Sequence, residues 1–140
     1  MVAATFTTVA KVDVAGGSCE VINDTNPSLA ARCKLSGFER HGPALALLGA
    51  LAVAMGLGAA IGGSRPAALG LAAAGATTLL LALASDLPKT RTTGAIGHSF
   101  AGAKAAPGPG LYLEIAGGAL ALATAAAALA RPVPVAPRDG

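Results

Sequence analysis

The chain has 140 residues, enough for a single domain, with 54% apolar and only 12% charged residues and a net charge of +3. The charged share is about half that of a soluble domain, and the apolar share is mostly Ala, Leu and Gly, with 3% aromatics and no Trp. A soluble core of such small side chains would bury little area per residue, and the scattered basic residues form no aromatic–basic face, so an ordinary soluble domain and a nucleic-acid surface are both excluded.

Residues 1–15, MVAATFTTVAKVDVA, are mildly apolar and β-branched. The uncharged run 2–10 would reach roughly 14 Å as a helix, too short for roughly 30 Å of hydrocarbon. It makes a poor signal peptide, because the first Lys, Lys11, follows it instead of preceding it. Residues 16–42 are polar and hold both cysteines, Cys19 and Cys33. NDTNPS reads as a turn, and NPSLAARCK can open a short helix with Asn26 as N-cap and Pro27 at the first helical position.

Residues 43–63, PALALLGALAVAMGLGAAIGG, carry no charge and have the length of a transmembrane helix. Ser64-Arg65-Pro66 breaks the chain tightly, and a second span follows at about 66–85. Residues 86–110 read as a polar loop in which Ile96 and Phe100, four apart, share a face of a short interfacial helix. PGPG at 107–110 ends any helix there. Residues 111–130, LYLEIAGGALALATAAAALA, form the third and weakest span, rich in near-neutral alanine and carrying Glu114. The Pro-rich tail, 131–140, is unlikely to fold by composition.

Three spans place 1–42 and 86–110 on one side of the membrane and the Arg65 turn and tail on the other. Lys and Arg number seven on the first side and three on the second, which by raw count puts the cysteines inside. Two of the three, Arg65 and Arg131, however, abut helix ends, where the rule acts, and the seven are spread over nearly seventy residues. Cysteine chemistry points the other way. Two cysteines in a polar segment of an otherwise cysteine-free chain fit a disulfide, which persists outside the reducing cytosol. A bridge closing about fifteen residues contributes ~3 kcal/mol in the chain-entropy model. Two free thiols, or a zinc site with His41 and His98, are the alternatives. The expectation is therefore an extracytoplasmic Cys19–Cys33 disulfide. An exported N-terminal segment needs a carrier, and the simplest is that 2–10 is the end of a first span that begins upstream of Met1.

GGSCEVIND, ARCKLSGFERHGPALALLGALAVAMGLGA, TGAIG and GLYLEIAGG together resemble a group of small, uncharacterised four-helix (tetraspan) membrane proteins of high-GC actinobacteria. The resemblance covers most of the chain except the first helix. It implies a topology with outward loops in the bacterial plasma membrane, and it implies no activity.

Glu114 is the residue with chemistry in it. Its helical face continues through Gly118, Ala121, Ala125 and Ala128, an all-small stripe of the kind along which membrane helices pack. An intramembrane carboxylate relays protons or binds cations; the plain reading is a carboxylate near a helix start that complements the dipole and reaches interfacial water. Arg40 or His41 are its expected partners. Matching small stripes run through Ala46, Gly49, Val53, Gly56, Ala60 and Gly63, and through Ala67, Gly70, Ala74 and Thr77. Gly58 and Gly62 form a G-x-x-x-G, and Tyr112 is an interface anchor. No zincin, nucleophile-elbow or Walker pattern is present, so no metal site, cofactor or catalytic residue is assigned.

The expected fold is an all-α membrane protein, an antiparallel bundle of three spans below an outer, disulfide-bearing N-terminal segment. The expected role is a non-enzymatic structural or accessory component in the lipid bilayer, packing against itself or a larger membrane complex. The alternative is a small transporter or channel subunit that uses Glu114 for cation binding or proton relay.

Overall fold

The structure is a computed structural model that describes residues 2–100 and 102–131. Three of its helical stretches, Ala44–Gly62, Arg65–Lys89 and Pro109–Leu129, are long and apolar enough to cross a membrane. In chain order the elements are α1 (Val2–Thr5), β1 (Thr8–Asp13), α2 (Cys19–Ile22), α3 (Pro27–Ala30), β2 (Lys34–Ser36), α4 (Gly37–His41), α5 (Ala44–Gly62) and α6 (Arg65–Leu80). A π-helical segment (Leu81–Asp86), α7 (Leu87–Lys89), α8 (Gly94–Ser99), β3 (Lys104–Pro107) and α9 (Pro109–Leu129) complete it.

The molecule has two parts, a helical bundle and a cap over one end of it. The cap corrects the all-α expectation, because it contains a three-stranded antiparallel sheet in the order β2-β1-β3. The strands are short and lie in segments separated by up to nearly a hundred residues, so no local pattern of alternation announces them. β1 sits in the middle with Val9 and Val12 on opposite faces. Val9 is buried with Ala82 and Leu111 at the end of the bundle. Val12 packs against a small core of Val14, Cys19, Cys33 and Ile96. The segment 2–10 is thus helical only through Thr5 and then turns into strand, which corrects the reading of the whole run as a helix end.

Cys19 and Cys33 are joined by a disulfide, with Cα atoms 5.6 Å apart. The short helix α3 begins with Pro27 after Asn26 as expected, but the Asn26 side chain accepts from Ser28 Oγ (2.7 Å) and makes no capping bond to the helix. Ile96 departs further from expectation. It is fully buried in the cap core beside the disulfide, not displayed on an interfacial helix.

In the bundle, α5 ends on Gly63 in the left-handed region (φ 58°), and Ser64 caps α6 by accepting from the Ala67 N–H at 3.4 Å. α6 and α9 approach closely because both are glycine at the crossing. A Cβ on Gly75 would lie 2.9 Å from the Gly118 carbonyl oxygen, and one on Gly118 would lie 2.8 Å from Leu79 Cγ. Ala52, Leu71, Ala74, Ala121 and Ala125 form the bundle core. Leucines such as Leu47, Leu57, Leu69 and Leu120 and the terminal Ile61 face outward, as a lipid-facing surface requires.

The stripe from Glu114 through Gly118, Ala121 and Ala125 is buried, with Ala128 half-buried. The other two expected stripes are rotated. α5 buries Leu45, Gly49, Ala52 and Ala59, leaving Val53 and Ala60 exposed; α6 buries Ala68, Leu71, Ala74, Gly75 and Thr78, leaving Thr77 exposed. In these two helices the buried face mixes leucine with small residues, so residue size alone does not mark it. Gly62 faces open space, Gly58 sits against Ala67 across the turn, and Gly70 lies under Met55.

The second span does not stop at Ser85. It continues through the π segment to Lys89, and the third span starts at Pro109, two residues before the expected 111. Pro88 explains the π segment. Its ring has no N–H and crowds the carbonyl four residues back, and widening the turn relieves the clash. The consequence is a row spaced four and four, Thr78, Ala82 and Asp86, in which every member is fully buried. In a regular α-helix the last of these would lie about 80° round from the first, and the wider turn brings the three closer to one line.

Candidate functional site

Where the cap meets the bundle, three elements bring polar side chains to one point. The first is α4. Its start is set by a capping box: Ser36 N–H and Oγ–H both donate to Glu39 Oε2 at 2.8 Å, and Ser36 Oγ accepts from the Glu39 N–H at 3.2 Å. These bonds to its charged form, that from the Ser36 backbone foremost, hold the Glu39 carboxyl below its ordinary range. α4 then delivers Arg40 and His41 at its last turn, before Gly42 (φ 58°) turns the chain into α5.

The π segment supplies the second element. Arg40 Nε donates to Asp86 Oδ1 at 3.0 Å, and the Arg40 Nη2 group reaches Ser85 Oγ at 2.7 Å and the Ser85 carbonyl at 3.3 Å. His41 Nε2 lies 2.8 Å from Asp86 Oδ2. The Asp86 side chain is fully buried, while Arg40 and His41 keep 25% and 12% of theirs exposed. Asp86 thus spends one oxygen on each of its two partners, and both partners come from α4.

α9 adds the third element. Glu114, 1% exposed, stands in its second turn. One ligand-type atom from each of His41, Asp86 and Glu114 lies within 4.8 Å of the others. Neither oxygen of Glu114 has a hydrogen-bond partner among the described residues, and as carboxylates Asp86 and Glu114 offer each other no hydrogen.

The charges decide what such a cluster can do. Arg40 contributes one positive charge against two carboxyl groups, so one proton would bring the cluster to neutrality and a divalent ion would take it to a net charge of +1. The arrangement can therefore hold a cation or share a proton between His41, Asp86 and Glu114.

Of the residues expected from sequence, His41 is brought to Glu114, while Arg40 is committed to Asp86 and Ser85. Asp86 and Ser85 had been assigned to a span end and a loop. The available signal was the Thr78–Ala82–Asp86 spacing and a proline two residues beyond the aspartate. The zinc alternative with the cysteines is overturned, since both thiols are consumed in the disulfide and His98 is exposed on α8. Tyr112 is 60% exposed near the start of α9, and the exposed rings of Phe6 and Phe38 stack 6.4 Å apart at the same end of the bundle.

Compared with protein-family models, with curated proteins and with solved structures, the chain matches none.

Proposed function

We propose that the protein is a non-enzymatic structural or accessory component of a bacterial plasma membrane, with its cap on the extracytoplasmic side. The observation that supports this reading is an open apolar groove of about 400 Å³ between α5 and α9. Gly49, Gly56, Gly117, Ala121 and Thr124 line it, and Val2 of α1 stands at its edge. Small residues on two adjacent spans let another backbone approach closely, and van der Waals packing is what joins helices in lipid. The occupant is a transmembrane helix of a neighbouring chain, a second copy or part of a larger complex. The disulfide supports the sidedness, because it persists outside the reducing cytosol. The aromatic rings around the cap end fit an interfacial belt.

The test is site-directed crosslinking through a Gly56→Cys variant. Its thiol would be the only free one among the described residues, since Cys19 and Cys33 are bonded. Crosslinks in the membrane, to a second copy or to a different chain, are expected and are lost when Gly49 is also changed to Leu. A monomer under all crosslinking conditions would overturn the reading. Labelling of intact cells with a membrane-impermeant maleimide tests the sidedness: the native cysteines should react only after an impermeant reductant is added.

A second reading is supported by the unpartnered, buried Glu114. In it the protein is a small transporter or channel subunit, and Glu114 binds or relays a cation. Under this reading Glu114→Gln abolishes ion flux in proteoliposomes; under the first it leaves assembly untouched and there is no flux to lose.

A further inference from the structure

We infer that His41, Asp86 and Glu114 form a binding site for one divalent transition-metal ion of the zinc class, clamping the cap to the bundle. The argument starts from an imbalance. Asp86 is fully satisfied: Arg40 Nε holds Oδ1 at 3.0 Å and His41 Nε2 meets Oδ2 at 2.8 Å. Glu114 is as deeply buried, 1% exposed, and as a carboxylate neither of its oxygens has a hydrogen-bond partner among the described residues. A buried carboxyl group left without partners costs free energy that a merely structural ion-pair cluster would have avoided.

The geometry supplies what would occupy that place. An imidazole nitrogen and two carboxylate oxygens lie within 4.8 Å of one another. A tetrahedral zinc ion with bonds of roughly 2.0–2.2 Å sets its ligand atoms about 3.3 Å apart. The longest of the three separations needs to shorten by up to about 1.5 Å, and the 2.8 Å contact between His41 Nε2 and Asp86 Oδ2 to open by about 0.5 Å, which rotamer adjustment of Glu114 and His41 can supply. One imidazole with two carboxylates suits zinc, cobalt, manganese or iron, and it does not suit soft, thiolate-seeking ions. Three protein ligands leave a fourth position for water or an anion, on the His41 side, where 12% of the side chain is exposed.

Arg40 has a defined part as a positioning residue. By holding Asp86 Oδ1 and bonding Ser85 it aims Oδ2 at the site, the role that outer-sphere partners play around bound metals. The site also takes its ligands from three separate elements, α4, the π segment and α9. A bound ion therefore ties the cap to two of the three spans. This inference needs neither reading of the previous section, since it concerns equilibrium binding to the purified chain and requires neither flux nor a partner.

The experiment is a Co2+ titration of the full chain, purified in detergent micelles after treatment with a chelator. It is followed by the visible absorption of the bound ion and by calorimetry, with Zn2+ as competitor. The expected result is one Co2+ per chain, displaced by Zn2+. Affinity falls by more than about 100-fold in Glu114→Gln and in His41→Ala, and by about 10-fold in Arg40→Lys. Glu20→Gln, a change in the exposed Lys34 ion pair, leaves it unaltered. No stoichiometric binding by the native chain would overturn the site, and a proton would then be the shared cation. Binding that survives both ligand substitutions would overturn it too. Should those variants fail to fold, X-ray absorption of the zinc-loaded native chain decides. A shell with one imidazole and oxygen neighbours supports the site, and a shell with sulfur or without imidazole overturns it.

Discussion

The cap and the bundle are built from one chain but held together by different means. The cap's own apolar cluster is small, with Val14, Cys19, Cys33 and Ile96 buried in it among the described residues. The cap compensates with a covalent bond, a three-stranded ladder and side-chain caps such as those of Ser18 and Ser36. The bundle has no disulfide, and its core is alanine and leucine with glycine at the closest crossing. In water the cap cannot rely on apolar burial because it has too little apolar area. The bundle's three long helices are apolar enough to cross a membrane; in lipid such helices could not rely on it either, because the tails are as apolar as leucine, and close packing would take over. The charged cluster is found at the junction between the two regions.

The largest expected effect comes from breaking that junction. Arg40→Met leaves the fully buried Asp86 without its guanidinium and should cost about 3–5 kcal/mol. The double variant Arg40→Met/Asp86→Asn removes the stranded charge and should recover most of the loss. Unfolding in mixed micelles, followed by circular dichroism, measures both. If the double variant is as unstable as the single, the pair acts through packing and not through charge.

Next comes the cap alone. Replacing Cys19 and Cys33 by serine should cost about 3 kcal/mol of cap stability by loop entropy. The comparison predicts a local effect: limited proteolysis should open the 15–36 region while the helical signal of the spans persists. Simultaneous loss of the helical signal would mean that cap and bundle are one cooperative unit. The matching test of the bundle is Gly118→Ala. Its new methyl would lie 2.8 Å from Leu79 Cγ and 3.0 Å from the Gly75 carbonyl oxygen, and overpacking of this kind costs about 1–3 kcal/mol. Gly62→Ala, which meets nothing within 4 Å, should be neutral or stabilising by about 0.5–1 kcal/mol. The same unfolding titration separates the two.

The same contrast explains what could be read in the sequence. The three long apolar helices were legible because each is a long run with few or no charges, a property of consecutive residues. The disulfide was legible because two cysteines in a polar segment have few other uses. Glu114 stood out as the one carboxylate within the third span, and its stripe through Gly118 was legible because every member is small. The sheet was not legible: β1, β2 and β3 pair residues such as Lys11, Lys34 and Ala106, and short strands owe their existence to those distant partners. Asp86 was missed because it lies at the polar end of an apolar run, where a loop is the natural reading. The helix continues past it through the π segment to Lys89, and this places it against α4 and α9. Gly75 was missed because helix rotation is decided by the neighbouring helix, which a single stripe does not reveal.

The most local effect lies in the capping box of α4, and it sharpens the comparison at the edge of the junction. Ser36→Ala removes one acceptor for the Glu39 N–H and one donor to its carboxylate, for about 1 kcal/mol. The pH dependence has a definite sign. The Glu39 carboxyl is held below its ordinary value of 4.5 by bonds from Ser36, so it favours the folded state fully above that value. That contribution is lost as pH falls below 4.5 and through the lowered folded value. Glu39→Gln keeps an acceptor for Ser36 but cannot titrate, so it should flatten this acid limb while leaving stability at neutral pH slightly reduced. Hydrogen exchange of the Ser36 and Glu39 amides, compared at neutral and acid pH, reads the effect locally. Faster exchange confined to α4 in acid would place the box on the cap's side of the divide. Exchange that spreads into α5 would mean that α4 carries the acid response through His41 into the bundle.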